Sequence, residues 1–215
     1  MMHKLSERLS AVASLVKKDS RIVDVGTDHG YIPVFLVKSG VTKTAIACDI
    51  NSDPLASCIR LIESEGVDDK ISPRLSNGLE NVYDNEIDTI IIAGMGGELI
   101  AEILSNCSYI GDKHIILNPM THPEVARKFL YDNGFEIDND FIVKDGKHYY
   151  SVFDAHYTGN FSKKSLTDYF LGNIKDFTQR EYFTHLLNYL NQKAKSGADY
   201  SNVITAVEKK IYDNC

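Results

Sequence analysis

No apolar run in this 215-residue chain approaches the ~18 consecutive residues that a membrane span needs. The opening stretch MMHKLSERLS is charged and amphipathic, without the apolar core of a secretory signal. A cytoplasmic protein is therefore expected. Cys48, Cys58, Cys107 and Cys215 form neither a CxxC pair nor any other zinc spacing, so no metal site is expected and a disulfide framework is not either. Seven histidines are present, yet no HxxxH pair and no H-x-E with a later C-x-x-C occurs among them. Spacing assigns no Ser-His-Asp order. Internal repeats and low-complexity tracts are missing as well. A net charge of −7 rules out a chain that is basic throughout, as a general nucleic-acid binder would be.

Hydrophobic residues make up 43% of the chain, enough to bury a core. Charge is uneven: residues 161–215 hold eight lysines and arginines against six acids, a net +2, which leaves −9 for residues 1–160. Runs rich in Val and Ile occur at 21–25, 44–48, 89–93 and 114–117. Several lack polar alternation, the pattern of parallel strands buried on both faces. Helix-length segments separate them. Ser52-Asp53-Pro54 opens one with a cap and an early proline, and Gly66 is placed to end it. Thr121-His122-Pro123-Glu124 opens another with the spacing of a capping box, and Gly134 closes it. Alternation of strand and helix predicts a doubly wound, mostly parallel α/β sheet. Residues 135–143 and 148–157, with Asp145-Gly146 between, predict an antiparallel hairpin at one sheet edge. From Ser165 the periodicity is helical. Phe183, Leu186, Leu187 and Leu190 share one face, and Tyr200, Val203, Ile204, Val207 and Ile211 share another, with Ser196-Gly197 breaking the run. The expected domains are thus 1–160, an α/β unit, and 161–215, a coiled-coil-like helical hairpin.

Chemistry is expected where strands end, because open α/β sheets bind ligands at their carboxyl edge. The first strand runs into Asp24-Val25-Gly26-Thr27-Asp28-His29-Gly30. This is D-x-G-x-x-x-G, not the G-x-G-x-x-G of a dinucleotide fold, which argues against a nicotinamide oxidoreductase. It is close to the D-x-G-x-G-x-G of class I methyltransferases, with Asp28 at the middle glycine; a tight turn without ligand is the plainer alternative. The second strand ends in Asp49-Ile50, a little over twenty residues past Gly26, where one carboxylate can accept from both hydroxyls of a ribose. Asn77-Gly78 comes after the third strand, and the Asn77 side chain can accept from an adenine amino group or simply make a turn. Gly94-Met95-Gly96-Gly97 comes after the fourth, with Met95 suited to pack on a cofactor. The Asn-Pro-Pro-aromatic segment of many adenine methyltransferases is absent there. Asn118-Pro119 ends the fifth strand and forms either a substrate wall or a loop into a helix.

Taken together, DVGTDHGYIP at 24–33, CDIN at 48–51, SNGLE at 76–80, AGMGGELI at 93–100 and LNPMTHPEVAR at 117–127 resemble the bacterial tRNA (adenine(22)-N1)-methyltransferases, the TrmK family. The similarity runs from about residue 3 to 157. It implies a Rossmann-like domain that binds S-adenosyl-L-methionine, a helical tail contributing to tRNA binding, and methylation of N1 of a D-loop adenine. On this reading Gly26, Asp28, His29, Gly30, Asp49, Ile50, Asn77, Gly78, Gly94 and Met95 hold the cofactor. Tyr31, Asn118, Pro119, Lys163 and Lys164 meet the substrate, and Asp28 is the candidate active carboxylate. Adenine N1 has an in-plane lone pair, so positioning rather than a strong base is required. Lys4, Arg8, Lys17 and Lys18 of the first helix, with Lys193 and Lys195 of the tail, are further candidates for phosphate contacts. A monomer is expected. The alternatives are a methyltransferase acting on another RNA site or a small molecule, and a non-catalytic protein that binds cofactor or RNA.

Overall fold

In the computed structural model, residues 4–161 and 163–213 are described; Cys215 lies outside them. The apolar runs become strands β1 (Ile22–Val25), β2 (Ala45–Asp49), β4 (Thr89–Ala93) and β5 (His114–Asn118), buried at every residue except Ala93. Strand β3 (Ile71–Leu75) carries no apolar run because it is an edge strand, with only Ile71 buried and Pro73 in its middle. The sheet order is β3-β2-β1-β4-β5-β7-β6, with β6 (Phe135–Asp145) and β7 (His148–Tyr157) as the antiparallel edge hairpin. The pairing of Asp145 with His148 puts the turn at Gly146-Lys147, one residue later than expected. Strand order reverses between β1 and β4, which opens a crevice at their carboxyl ends.

Helices α1 (Glu7–Ser14), α2 (Tyr31–Lys38), α3 (Ser52–Glu65), α4 (Gly97–Ser105) and α5 (Pro123–Asp132) cover the two faces. Period-two alternation divides β4 between two cores. Ile90 and Ile92 join Ile100, Leu117 and Leu130 on one side, and Ile91 joins Leu36, Ile62 and Ile116 on the other. Three helix starts differ from expectation. Helix α3 begins at Ser52, with Asn51 at the cap but not capping through its side chain. The Asp49 carboxylate makes that turn instead, accepting from the Asn51 N–H at 2.9 Å. Helix α5 has no capping box: His122 sits at the cap with φ 50°, and the Thr121 carbonyl accepts from the Gly97 N–H at 2.9 Å. Helix α1 is short, so Lys4 precedes it and Lys17 and Lys18 come after it.

The C-terminal region holds three helices rather than two: α6 (Leu166–Leu171), α7 (Arg180–Ala194) and α8 (Ser201–Asp213). Phe183 and Leu190 pack on Val203, Val207, Phe170 and Phe177, and this cluster also takes in Ile142 of β6. Polar fastening supplements the apolar seam. Arg127 of α5, fully buried, makes two 2.9 Å bonds to Asp140 of β6 and donates to the last carbonyls of α6, Tyr169 at 3.3 Å and Phe170 at 3.2 Å. Asp140 in turn accepts from the Asn173 N–H at 3.0 Å.

Candidate active site

The cleft at the β1/β4 reversal is built from strand ends. The Gly26 and Thr27 N–H groups both donate to the Cys48 carbonyl at 2.8 Å, so β1 turns while still tied to β2. Gly26 has φ 72°, and a Cβ there would run into the Met95 methyl. The positive φ favours glycine, and any side chain there would displace the Met95 methyl. Asp28 is next but one at φ 51°, its N–H 3.4 Å from an Asp49 carboxylate oxygen. Asp49 therefore holds both the glycine turn and the start of α3. Beneath them Asp24 accepts from the Thr27 hydroxyl at 2.7 Å. Burial pushes the Asp24 carboxyl up to about 6; the Thr27 bond opposes this and Asp49 adds to it.

The opposite wall comes from β4 and β5. The Gly94 N–H donates to the Asn118 carbonyl at 3.1 Å and the Met120 N–H to the Met95 carbonyl at 2.8 Å, so the two loops run side by side. Asn118 is fully buried, which corrects its expected place facing a ligand. Its amide is engaged at both ends, accepting from Arg8 at 2.7 Å and donating to the Ser151 carbonyl at 2.8 Å. Arg8 also lies over the Tyr150 ring at 5.6 Å, so it points into the cleft rather than across an outer basic face.

The resulting cavity measures about 540 Å³. Of the expected residues, Gly26, Asp28, Tyr31, Asp49, Ile50, Asn77, Gly78, Gly94 and Met95 line it. Of the other expected residues, Gly30 caps α2 behind the cleft and His29 stands outside it, 3.7 Å from the Asp28 carboxylate. Pro119 lines a neighbouring cavity. Lys163 is exposed and Lys164 lies over the Tyr131 ring at 5.3 Å, both away from the cleft. Sequence reading did not single out Thr27, Leu99 or Met120 as lining residues, and it placed Arg8 on a phosphate-binding face. Nothing local marks Arg8, since its partner Asn118 is 110 residues away.

Three carboxylates (Asp24, Asp28 and Asp49) face one guanidinium, so the cleft suits a ligand with cationic groups. Ile50 and Leu99, 60% and 46% exposed on its rim, offer apolar cover for a flat ring. Among the described residues no group of three or more His, Cys, Asp or Glu is arranged to hold a metal, and no helix is long and apolar enough to cross a membrane.

Residues 5–153 match the family described as "Methyltransferase domain". The tRNA (adenine(22)-N(1))-methyltransferase of Bacillus subtilis is 38% identical over 149 residues, 68% of this chain and 63% of that relative, so the match spans less than two thirds of it. Among solved structures, a Streptococcus pneumoniae protein in complex with S-adenosyl-L-methionine superposes with a TM-score of 0.87 at 29% identity, covering 97% of this chain and 100% of that one. TrmK of M. capricolum in complex with S-adenosyl-homocysteine gives 0.79 at 28% identity, covering 98% and 96%.

Proposed function

The chain belongs to the methyltransferase family, and from that premise we propose that it transfers a methyl group to N1 of an adenine in tRNA, adenine 22 of the D-loop region. The observation that carries this reading is the convergence of the Gly26 turn, Asp49 and Met95 on one acidic cleft at the strand-order reversal. S-adenosyl-L-methionine supplies the methyl group when bound. Asp49 accepts from its ribose hydroxyls, Asn77 and Gly78 meet the adenine, and Ile50 and Leu99 cover the ring faces. Asp24 and Asp28 face the cationic amino-acid end across the glycine turn.

Tyr31 and Met120 border the side from which a target base enters, having left its stack. Asp28, its side chain 68% exposed, is a positioning group, accepting from the ammonium of the cofactor or the N6 amino group of the adenine. Asn118 acts from behind the wall by fixing Arg8. Lys163, Lys164 and the other cations of residues 161–215 contact phosphates, and the site of action is the cytoplasm with its tRNA pool.

The test is incubation with methyl-labelled cofactor and unmodified tRNA transcripts, then digestion to nucleosides. Label is expected in 1-methyladenosine and is lost when adenine 22 is replaced. Label in another nucleoside overturns the assignment. An Asp28→Ala protein that binds both partners and transfers at full rate removes Asp28 from the scheme.

A further inference from the structure

Beside the cofactor cleft lies a second cavity of about 630 Å³, within the roughly 300–1,000 Å³ of pockets that enclose small ligands. Met120 lines both, so the Pro119-Met120 loop is a shared partition. The far wall is α7, through Tyr182, His185 and Tyr189, and the third side is β7, through Tyr149 and Tyr150. Residues far apart in the chain thus bring several flat π-faces with polar tips to the border of the reaction site.

His122 lines the cavity next to the partition. It is held at φ 50°, and Gly97 allows this because any Cβ at 97 would strike the His122 carbonyl. A non-glycine residue held in the left-handed region marks a position fixed by its surroundings. Its ring stands 6.4 Å from that of Tyr189. Some charges around this cavity are answered internally. His122 Nδ1 is 3.2 Å from Glu124, the Tyr149 hydroxyl bonds Glu181, and Lys144 is 3.3 Å from Glu181. Lys147, His148 and His185 also line the cavity, and Arg8 and Lys193 lie over the Tyr150 and Tyr189 rings at 5.6 and 5.5 Å, so the walls set ring faces beside cationic groups, which suits a nucleotide with its base against the rings. Unpaired RNA bases are bound in this way, on aromatic faces with polar groups at their edges.

We propose that this cavity receives a second base of the RNA, from a nucleotide next to the methylated adenine, turned out of its stack against Tyr189 and His185. The proposal rests on the tRNA methyl-transfer reading and extends it: one nucleotide enters each side of the Pro119-Met120 partition.

The test uses the full chain and two tRNA transcripts with 2-aminopurine on the 5′ or the 3′ side of the target adenine. Binding to the wild type quenches one of the two probes. His185→Leu, at an exposed position, and Tyr189→Leu abolish that quench and raise the tRNA dissociation constant about tenfold. Cofactor affinity and the rate at saturating tRNA stay unchanged, so KM rises while kcat holds. Wild-type affinity in both variants, or no quench at either flank of a tRNA that binds, overturns the proposal. A tRNA that binds and quenches without being methylated leaves the second base site standing and removes the methyl-transfer reading. A methylated tRNA with neither flank quenched does the reverse. A wild type that binds no tRNA removes both.

Discussion

Around the cofactor cleft, anchored groups stand beside open ones: Asp24 and Asp49 are held by hydrogen bonds, whereas the Asp28 and Asn77 side chains are exposed. At the seam with the C-terminal helices the arrangement differs. Arg127 is fully buried, and Asp140, Tyr169, Phe170 and Ser151 occupy its donors at 2.9–3.3 Å. A cleft with spare polar groups can exchange water for a ligand. A seam with none spare fixes an orientation. The difference separates the two jobs of the molecule: chemistry where side chains stay open, and rigid placement of α6 at the start of the C-terminal helices where none do.

The largest expected effect breaks the seam. Asp140→Ala leaves the Arg127 charge buried without its partner and should cost about 3–5 kcal/mol in urea unfolding. Replacing both residues with Met and Leu should recover only part of that loss, because the Tyr169 and Phe170 carbonyls and the Asn173 N–H then lose their partners. A single substitution that costs nothing would remove the comparison.

The cleft should behave in the opposite sense. Asp24 is buried with its carboxyl raised from 3.8 to about 6, so between those values the folded state holds a proton that the unfolded chain has lost. Stability from this group therefore falls as pH rises from about 4 through about 6. Asp24→Asn should stabilise the ligand-free protein at pH 7 by up to about 3 kcal/mol, and the advantage should vanish near pH 4. A pH-independent difference between the two proteins would contradict this. The smallest effect sharpens the seam. Ser165 and Asp168 cap α6 reciprocally, at 3.2 and 2.8 Å, and Ser165→Ala should cost about 1 kcal/mol, read as earlier hydrogen exchange at the start of α6.

Legibility in the sequence divides along the same line. The four buried strands, the edge hairpin and the glycine turn are local patterns, and the cleft assembles from segments already visible as short motifs. Edge strand β3 is marked by the Asn77-Gly78 turn after it rather than by hydrophobicity. Long-range pairings leave no local mark. Arg8 looks like any solvated cation until Asn118 and Tyr150 are beside it. Arg127 sits in an otherwise ordinary amphipathic helix. The expected capping box at Thr121 does not form, because the close approach of α4 claims the Thr121 carbonyl and forces His122 into the left-handed region. Asn118 has the strand-end position of a ligand-facing residue, but burial turns it inward.

The central claim is that the strand-end cleft is the methyl-donor site, with Asp49 as its ribose anchor. The direct measurement is equilibrium binding of S-adenosyl-L-methionine to the wild type and to Asp49→Asn, which keeps the shape and loses the charged acceptor. One saturable site is expected, weakened about tenfold or more in the variant, which still unfolds cooperatively in urea although the lost turn bond lowers its midpoint. Equal affinity in the two proteins would contradict the account.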